Sequence, residues 1–372
     1  MRKICFYLLI ALIFLTAYKK EKRFVIRGYI TGIADSTQVM LTNISSGEEL
    51  DSAFVINSRF TFSGKLDDAP EELRIISGRK ELLKGNLFYT DLLIGNETVQ
   101  VNGDISDMPL NITTSGSAIQ KKAEIYHKQQ YAWNVKLSSL RANLKSFPDS
   151  VSTIEKKQAA AKVKAVEDSL ENWEVNFIKD NFNSYIALVM YNYRRDFQVD
   201  TLKKLYNSLS DDLKQSKFGK SISIQISYPK PQTGDKYHNF EAITAKGDSF
   251  KLSEIKDKYI LLQFAGTGCY WSHMSMPEIR RLCQEYKDSV SFVSYFMDNK
   301  AQWLNTSRTD SIVWLSLWSK GFKYADACSK YSVTGTPTFF LISPDKKIIS
   351  TWFGYEKGIV EKEIKNGVAR IK

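Results

Sequence analysis

The spacing of apolar and polar positions changes twice along the chain, which divides it into three zones. From Phe24 to about Ile112, short runs of β-branched and aromatic residues recur: Arg23–Ile30, Gln38–Thr42, Ser52–Ile56, Arg59–Ser63, Glu72–Ser77 and Glu97–Val101. Gly32, Gly47, Asn57-Ser58 and Asn102-Gly103 punctuate them as turn residues do. Phe60-Thr61-Phe62-Ser63 alternates with the period of a half-buried strand. The zone predicts a small antiparallel β-sandwich-like domain over residues 23–113. It contains no cluster of His, Cys or paired carboxylates, so no catalytic site is expected there.

From Ser117 the period becomes helical. Ala118–Leu144 and Ser152–Asp180 are long, rich in lysine and glutamate, and separated by a break around Pro148. They predict a helical region over 117–226, with Trp173, Phe177 and Phe182 packing a hairpin core. Arg194-Arg195 and the lysines are expected on solvated faces, and Asp200–Phe218 as one or two shorter helices.

Pro231 and Gly234 open the third zone, 232–372. Tyr237–Ala242 and Ser249–Lys258 lead into Tyr259–Phe264, an apolar run of buried-strand length. After it come a helix, a strand over Val290–Met297 and a helical insert over Trp303–Lys320. A short helix Asp326–Tyr331, the strands Thr338–Ile342 and Ile348–Trp352, and a terminal helix follow. The fold class is α+β multidomain: a β-rich leader, a helical middle and a C-terminal α/β domain.

Composition narrows the options. With 372 residues, 43% of them hydrophobic, the chain can build two or three packed domains. The net charge of +11 comes from lysines spread among acids rather than from a basic block, so nucleic acid is not an expected partner. Met1-Arg2-Lys3 followed by apolar Ile4–Ala17 reads as a signal peptide, residues 1–17, for the periplasm or cell envelope. An uncleaved run through residues 4–17 would instead hold the protein at a membrane. Tyr18 stands where a lipid-bearing cysteine would be needed, so lipid anchoring is not expected.

Cys5 falls in that leader, which leaves Cys269, Cys283 and Cys328, an odd set with at least one free thiol. Cys269 and Cys283 lie on one predicted helix about 20 Å apart, too far to pair. Cys269 is the chemical centre. A strand ends at Ala265-Gly266-Thr267-Gly268, and Cys269 opens the helix, where unpaired N–H groups and the helix dipole favour thiolate over thiol. A second cysteine three positions on would complete a redox pair, and Ser272 stands there.

With Met276-Pro277-Glu278 and Gly335-Thr336-Pro337-Thr338, this layout resembles the thioredoxin superfamily over roughly Gln232–Lys372. The likeness is to its exported thiol-disulfide oxidoreductases of AhpC/TSA-like and cytochrome-maturation-like type. Asp51–Val55 and Asn57–Gly64 likewise look like the β-rich leader that precedes such domains in bacterial envelope proteins. The resemblance implies a cis peptide at Pro337 and a Thr336 backbone that receives an extended substrate strand beside Cys269. It implies Cys269 and Ser272 as the catalytic positions, and Tyr270, Trp271, Thr336 and Pro337 as substrate contacts.

Ser272 cannot resolve a mixed disulfide, and Gln263 cannot titrate where many thioredoxins carry a buried acid. The expected activity is therefore monothiol exchange with cysteine-containing proteins or low-molecular-weight thiols, with release by an external reductant. The alternative is a degenerate module that binds polypeptide without turnover. His273 either raises the local potential or is merely solvated. Cys328 reads as a buried inert thiol rather than an alternative resolver, and Cys283 as core. Thr267 stands two residues before Cys269 where peroxide-reducing relatives need three, and no cofactor or metal motif is visible.

Overall fold

The computed structural model describes residues 22–148 and 150–369. The leader-like stretch 1–17, with Cys5, and Tyr18 after it lie outside the described residues.

The first domain packs two four-stranded sheets face to face, in the orders β4-β1-β7-β8 and β3-β2-β5-β6. One sheet comprises β4 (Arg59–Gly64), β1 (Phe24–Thr31), β7 (Thr98–Asp104) and β8 (Thr113–Ser115). The other comprises β3 (Glu49–Phe54), β2 (Gln38–Asn43), β5 (Glu71–Ser77) and β6 (Tyr89–Ile94), with a short helix α1 (Arg79–Leu83) before β6. Ile26, Phe62 and Val99 meet Leu41, Leu73 and Ile75 between the sheets. All six expected strands form, while β6 and the three-residue β8 were not predicted. The sandwich also departs from pure antiparallel pairing, because β1 and β7 run parallel.

The middle region begins with two 28-residue helices, α2 (Ala118–Lys145) and α3 (Thr153–Asp180). Ser117 and Ser152 cap their first turns. Trp173 and Phe177 pack on Tyr126, with ring centroids 5.4 and 4.9 Å away. Four shorter helices complete the region: α4 (Tyr185–Arg194), α5 (Val199–Asn207), α6 (Asp211–Gln215) and α7 (Lys217–Ser227).

The expectation that Arg194-Arg195 are solvated is corrected. Arg194 is held by Glu171, Glu174 and Asp196. Arg195 is 7% exposed, and its guanidinium donates to the carbonyls of Cys328 (2.6 Å), Asn192 (3.0 Å) and Lys323. It thus fastens the end of α4 to the third domain. Glu72 of the leader domain does the same from another side, accepting from Tyr193, Tyr324 and Lys323 at 3.2–3.4 Å.

The third domain has one seven-stranded sheet in the order β10-β9-β13-β12-β11-β14-β15. These are β9 (Glu241–Thr244), β10 (Ser249–Lys251), β11 (Tyr259–Ala265), β12 (Val290–Phe296), β13 (Leu315–Trp318), β14 (Thr338–Ile342) and β15 (Ile348–Phe353). Central β11 runs parallel to β12 and antiparallel to β14. Helices α8 (Tyr270–Glu285) and α11 (Ile359–Ala369) pack their Ile279, Leu282, Val360 and Ile364 against Leu261 and Leu341 of the sheet. On the other face lie Cys328, from α10 (Asp326–Lys330), and the nearby Tyr331 and Val333.

The insert is half helix and half strand, not helical throughout. Helix α9 spans Lys300–Thr309, and β13 then pairs with both β12 and β9. Leu317 is fully buried within the sheet, which explains the strand: the short, mostly apolar run 314–318 gains a neighbouring strand on each side. No helix of the described residues is long and apolar enough to cross a membrane. The architecture is a β-sheet domain, a helical middle and a thioredoxin-like α/β domain.

Candidate functional site

Strand β11 is buried along almost its whole length and ends at Ala265, so the turn that follows is delivered to a fixed place at the sheet edge. Gly266 is required in that turn. A Cβ there would stand 2.8 Å from the Thr336 hydroxyl and 3.4 Å from the Cys269 Cβ. Cys269 is the N-cap of α8, with extended backbone at φ −90° and ψ 112°, and its N–H donates to the Gly266 carbonyl at 3.1 Å. The helix that it caps runs for 16 residues, so its positive end lies at the sulfur.

Opposite the thiol is the loop before β14, where the Thr336–Pro337 peptide is cis. The Cys269 thiol donates to the Thr336 carbonyl at 3.2 Å. That contact exists only while the sulfur is protonated. Partial burial also resists ionisation, but the Ser272 hydroxyl, the Thr336 side chain and the N–H groups of Ser272 and Trp271 favour the anion. Together they hold Cys269 below the ordinary thiol value.

Ser272 is fully buried, and its Oγ accepts from the Gly266 N–H at 3.2 Å. A buried hydrogen-bonded chain continues beneath it. Ser275 donates to the Ser272 carbonyl (2.6 Å), Gln263 to Ser275 (2.9 Å), Ser294 to Gln263 (2.8 Å) and Trp314 to Ser294 (2.9 Å). No member of that chain titrates near neutral pH, so it anchors the turn without offering a proton relay.

His273 is neither free nor simply solvated. One ring nitrogen lies 2.6 Å from the Asp310 carboxylate and the other 2.7 Å from the Thr267 carbonyl. Both partners are acceptors, which suits the doubly protonated ring. Burial works against the charge, yet these two partners and the nearby Cys269 raise the His273 pKa. Asp298, its own pKa raised by burial, accepts the Thr267 N–H at 2.7 Å. The turn before Cys269 is therefore clamped from both sides.

The structure brings Cys269, Ser272, Thr336 and Pro337 together and leaves Tyr270 and Trp271 exposed at 64% and 54%, their rings 5.2 Å apart. Met274 and Phe353 are also exposed, and Phe353 lies over Gly335 in the loop that carries Thr336 and Pro337. Sequence reasoning missed Asp298, Asp310 and Phe353, which lie between 29 and 84 residues from Cys269 along the chain and carry no local motif. The other thiols are differently placed. Burial pushes Cys328 up to about 12 and also raises Cys283. Among the described residues, no three His, Cys, Asp or Glu side chains converge as a metal site.

Residues 233–351 match the AhpC/TSA family, and residues 24–123 match a domain of unknown function, DUF4369. The thiol-disulfide oxidoreductase ResA of Bacillus anthracis is 29% identical over 133 residues, covering 34% of this chain and 72% of that protein. The ResA of Bacillus cereus is 27% identical over 161 residues, covering 41% and 84%. Among solved structures, the thioredoxin domain of a Bacteroides vulgatus thiol-disulfide oxidoreductase is 23% identical, covering 37% of this chain and 96% of that one, with a TM-score of 0.33. A thiol-disulfide oxidoreductase from Bacteroides fragilis is 20% identical, covering 36% and 98%, also with a TM-score of 0.33. The C-terminal part of this chain thus has a thioredoxin-like, thiol-disulfide oxidoreductase-like fold that matches the AhpC/TSA family, and it follows a β-rich DUF4369 domain.

Proposed function

We propose that the protein carries out monothiol thiol–disulfide exchange through Cys269, on cysteine-containing proteins or low-molecular-weight disulfides. The observation that carries this reading is a part-exposed thiol, held below its ordinary pKa at a helix start, with buried Ser272 in the place of a second thiol.

The Cys269 thiolate attacks one sulfur of a substrate disulfide. The substrate S–S bond breaks, a Cys269–substrate S–S bond forms, and the departing sulfur leaves as a thiolate that takes a proton from water. Ser272 cannot attack the new bond to give a stable S–S product. An external thiol must do so, leaving reduced Cys269 and a new disulfide between that thiol and the substrate sulfur. Thr336 and Pro337 line the substrate backbone, and the exposed Tyr270 and Trp271 supply apolar contact. The basic and apolar stretch at the N-terminus supports action outside the cytoplasm, in the periplasm or cell envelope.

Alkylation of the native protein across a pH series tests the reading. The Cys269 rate should reach half its plateau below the ordinary thiol value of about 8.5. A Cys269 that reacts no faster at neutral pH than free cysteine would sink it.

A further inference from the structure

A cleft of about 470 Å³ opens beside the redox turn, between the leader domain and the insert of the third domain. One wall is the β2–β3 turn of the leader domain, Ser45-Ser46-Gly47; the other is the face of α9 that carries Gln302 and Asn305. Its floor is Thr267-Gly268 with Asp298. Gly268 precedes Cys269 directly, so their Cα atoms are about 3.8 Å apart. Any molecule that fills this cleft touches the segment that presents the thiol.

The two walls are held in place. The Asn43 side chain accepts the N–H groups of Ser45 and Ser46 at 2.9 and 3.1 Å, which fixes the turn. The Ile44 N–H donates to the Glu72 carbonyl at 2.9 Å, and the Glu72 carboxylate lies at the three-domain junction. Asn299, the N-cap of α9, donates its side-chain N–H to the Ser46 carbonyl at 3.4 Å across the domain boundary. The cleft is therefore part of the fold rather than a gap between loosely tethered domains.

Its chemistry is polar, with Asp298 as the single charged residue of the lining. Gln302 and Asn305 offer exposed carboxamides that both donate and accept. Ser45, also in the lining, has a buried hydroxyl with no hydrogen-bond partner. The lining holds one carboxylate, Asp298, and no lysine or arginine. The nearest cations are already engaged, Arg308 with the Asn305 side-chain oxygen at 3.0 Å and His273 with Asp310 at 2.6 Å, so an anionic compound such as glutathione disulfide would bring its carboxylates to Asp298 without a free partner. Backbone amides and lysine side chains match what the lining offers.

We propose that this cleft is a second substrate subsite, which takes a polar, neutral-to-cationic segment of the polypeptide whose disulfide meets Cys269. The leader domain then helps to choose the substrate, rather than only spacing the redox domain. This rests on the exchange reading of Cys269.

The test uses the full chain and three disulfides: neutral 2-hydroxyethyl disulfide, and two peptide disulfides that differ in having lysine or aspartate beside the cystine. At low salt the lysine peptide should form the Cys269 adduct at least about fivefold faster than the aspartate peptide. Gln302→Trp and Asn305→Trp, which fill the cleft from exposed positions, should each cut the lysine-peptide rate by about tenfold and leave 2-hydroxyethyl disulfide within about twofold. Equal rates for the two peptides on the unmodified chain would overturn the proposal. So would variants that slow all three disulfides alike. A chain that forms no adduct even with 2-hydroxyethyl disulfide would contradict the Cys269 reading instead. Titration with the lysine peptide carrying serine for cysteine then reads the cleft alone: binding weakened by Asn305→Trp supports the subsite, and no binding overturns it.

Discussion

Cys269 and Cys328 belong to the same domain, and each has a basic side chain nearby, yet their surroundings drive them in opposite directions. Cys269 is part-exposed at the turn after β11, with His273 one helical turn away and N–H and hydroxyl donors around its sulfur. Cys328 is fully buried in α10, and Arg195 holds its carbonyl. The guanidinium lowers the Cys328 pKa, but burial outweighs it and pushes the thiol up to about 12. A neighbouring positive charge therefore does not make a thiol reactive. Hydrogen-bond donors aimed at the sulfur and access to water do.

The comparison can be broken most sharply by labelling. In the native protein an alkylating reagent at pH 7 should modify Cys269 on the order of a thousandfold faster than Cys328. Quantitative peptide mass spectrometry would read both sites, and comparable rates would mean that the two environments do not differ as described. Cys328 should label freely only after denaturation.

The next effect concerns what Arg195 does instead of activating a thiol. Arg195→Met removes the guanidinium donor from the Lys323 carbonyl and leaves the Cys328 carbonyl with the Val333 N–H, at 3.0 Å, in a buried junction. It should lower unfolding stability by about 3 kcal/mol in denaturant melts. A loss within about 0.5 kcal/mol would place the domain junction elsewhere.

Smaller changes grade the Cys269 corner itself. Ser272→Ala removes a donor to the sulfur, so the Cys269 pKa rises and less thiolate is present at neutral pH. A rise of about one unit gives a roughly tenfold slower alkylation at pH 7, which vanishes once pH exceeds both values. His273→Gln should act in the same direction by about two- to threefold, because its charge is partly neutralised by Asp310. The opposite sign in either variant would show that the residue opposes the thiolate.

Much of this was legible from local pattern. The alternation around Phe60, the two long helices, the strand–turn–Cys269 junction and Ser272 each follow from a few adjacent residues. What was not legible depends on partners far away in sequence. Arg195 reads like any charge at a helix end, and its carbonyl partner at Cys328 is 133 residues distant. The strand β13 shows itself only against β12 and β9. Asp310, which pins His273, lies in the insert 37 residues on, and the leader-domain turn beside Thr267 comes from the other end of the chain. Sequence spacing pointed to Cys269 and to the serine that stands in the place of a second thiol. The groups that hold them in place came from the fold.

The central claim is that Cys269 captures a disulfide and has no means of its own to let go. Intact-mass spectrometry of the full chain, mixed with a peptide disulfide and then freed of small molecules, tests this directly. The account predicts a one-to-one adduct on Cys269 that persists until an external thiol is added. The same adduct on Ser272→Cys should decay unaided as a 269–272 disulfide forms. An unmodified chain whose adduct decays without added thiol, or never forms, would contradict it.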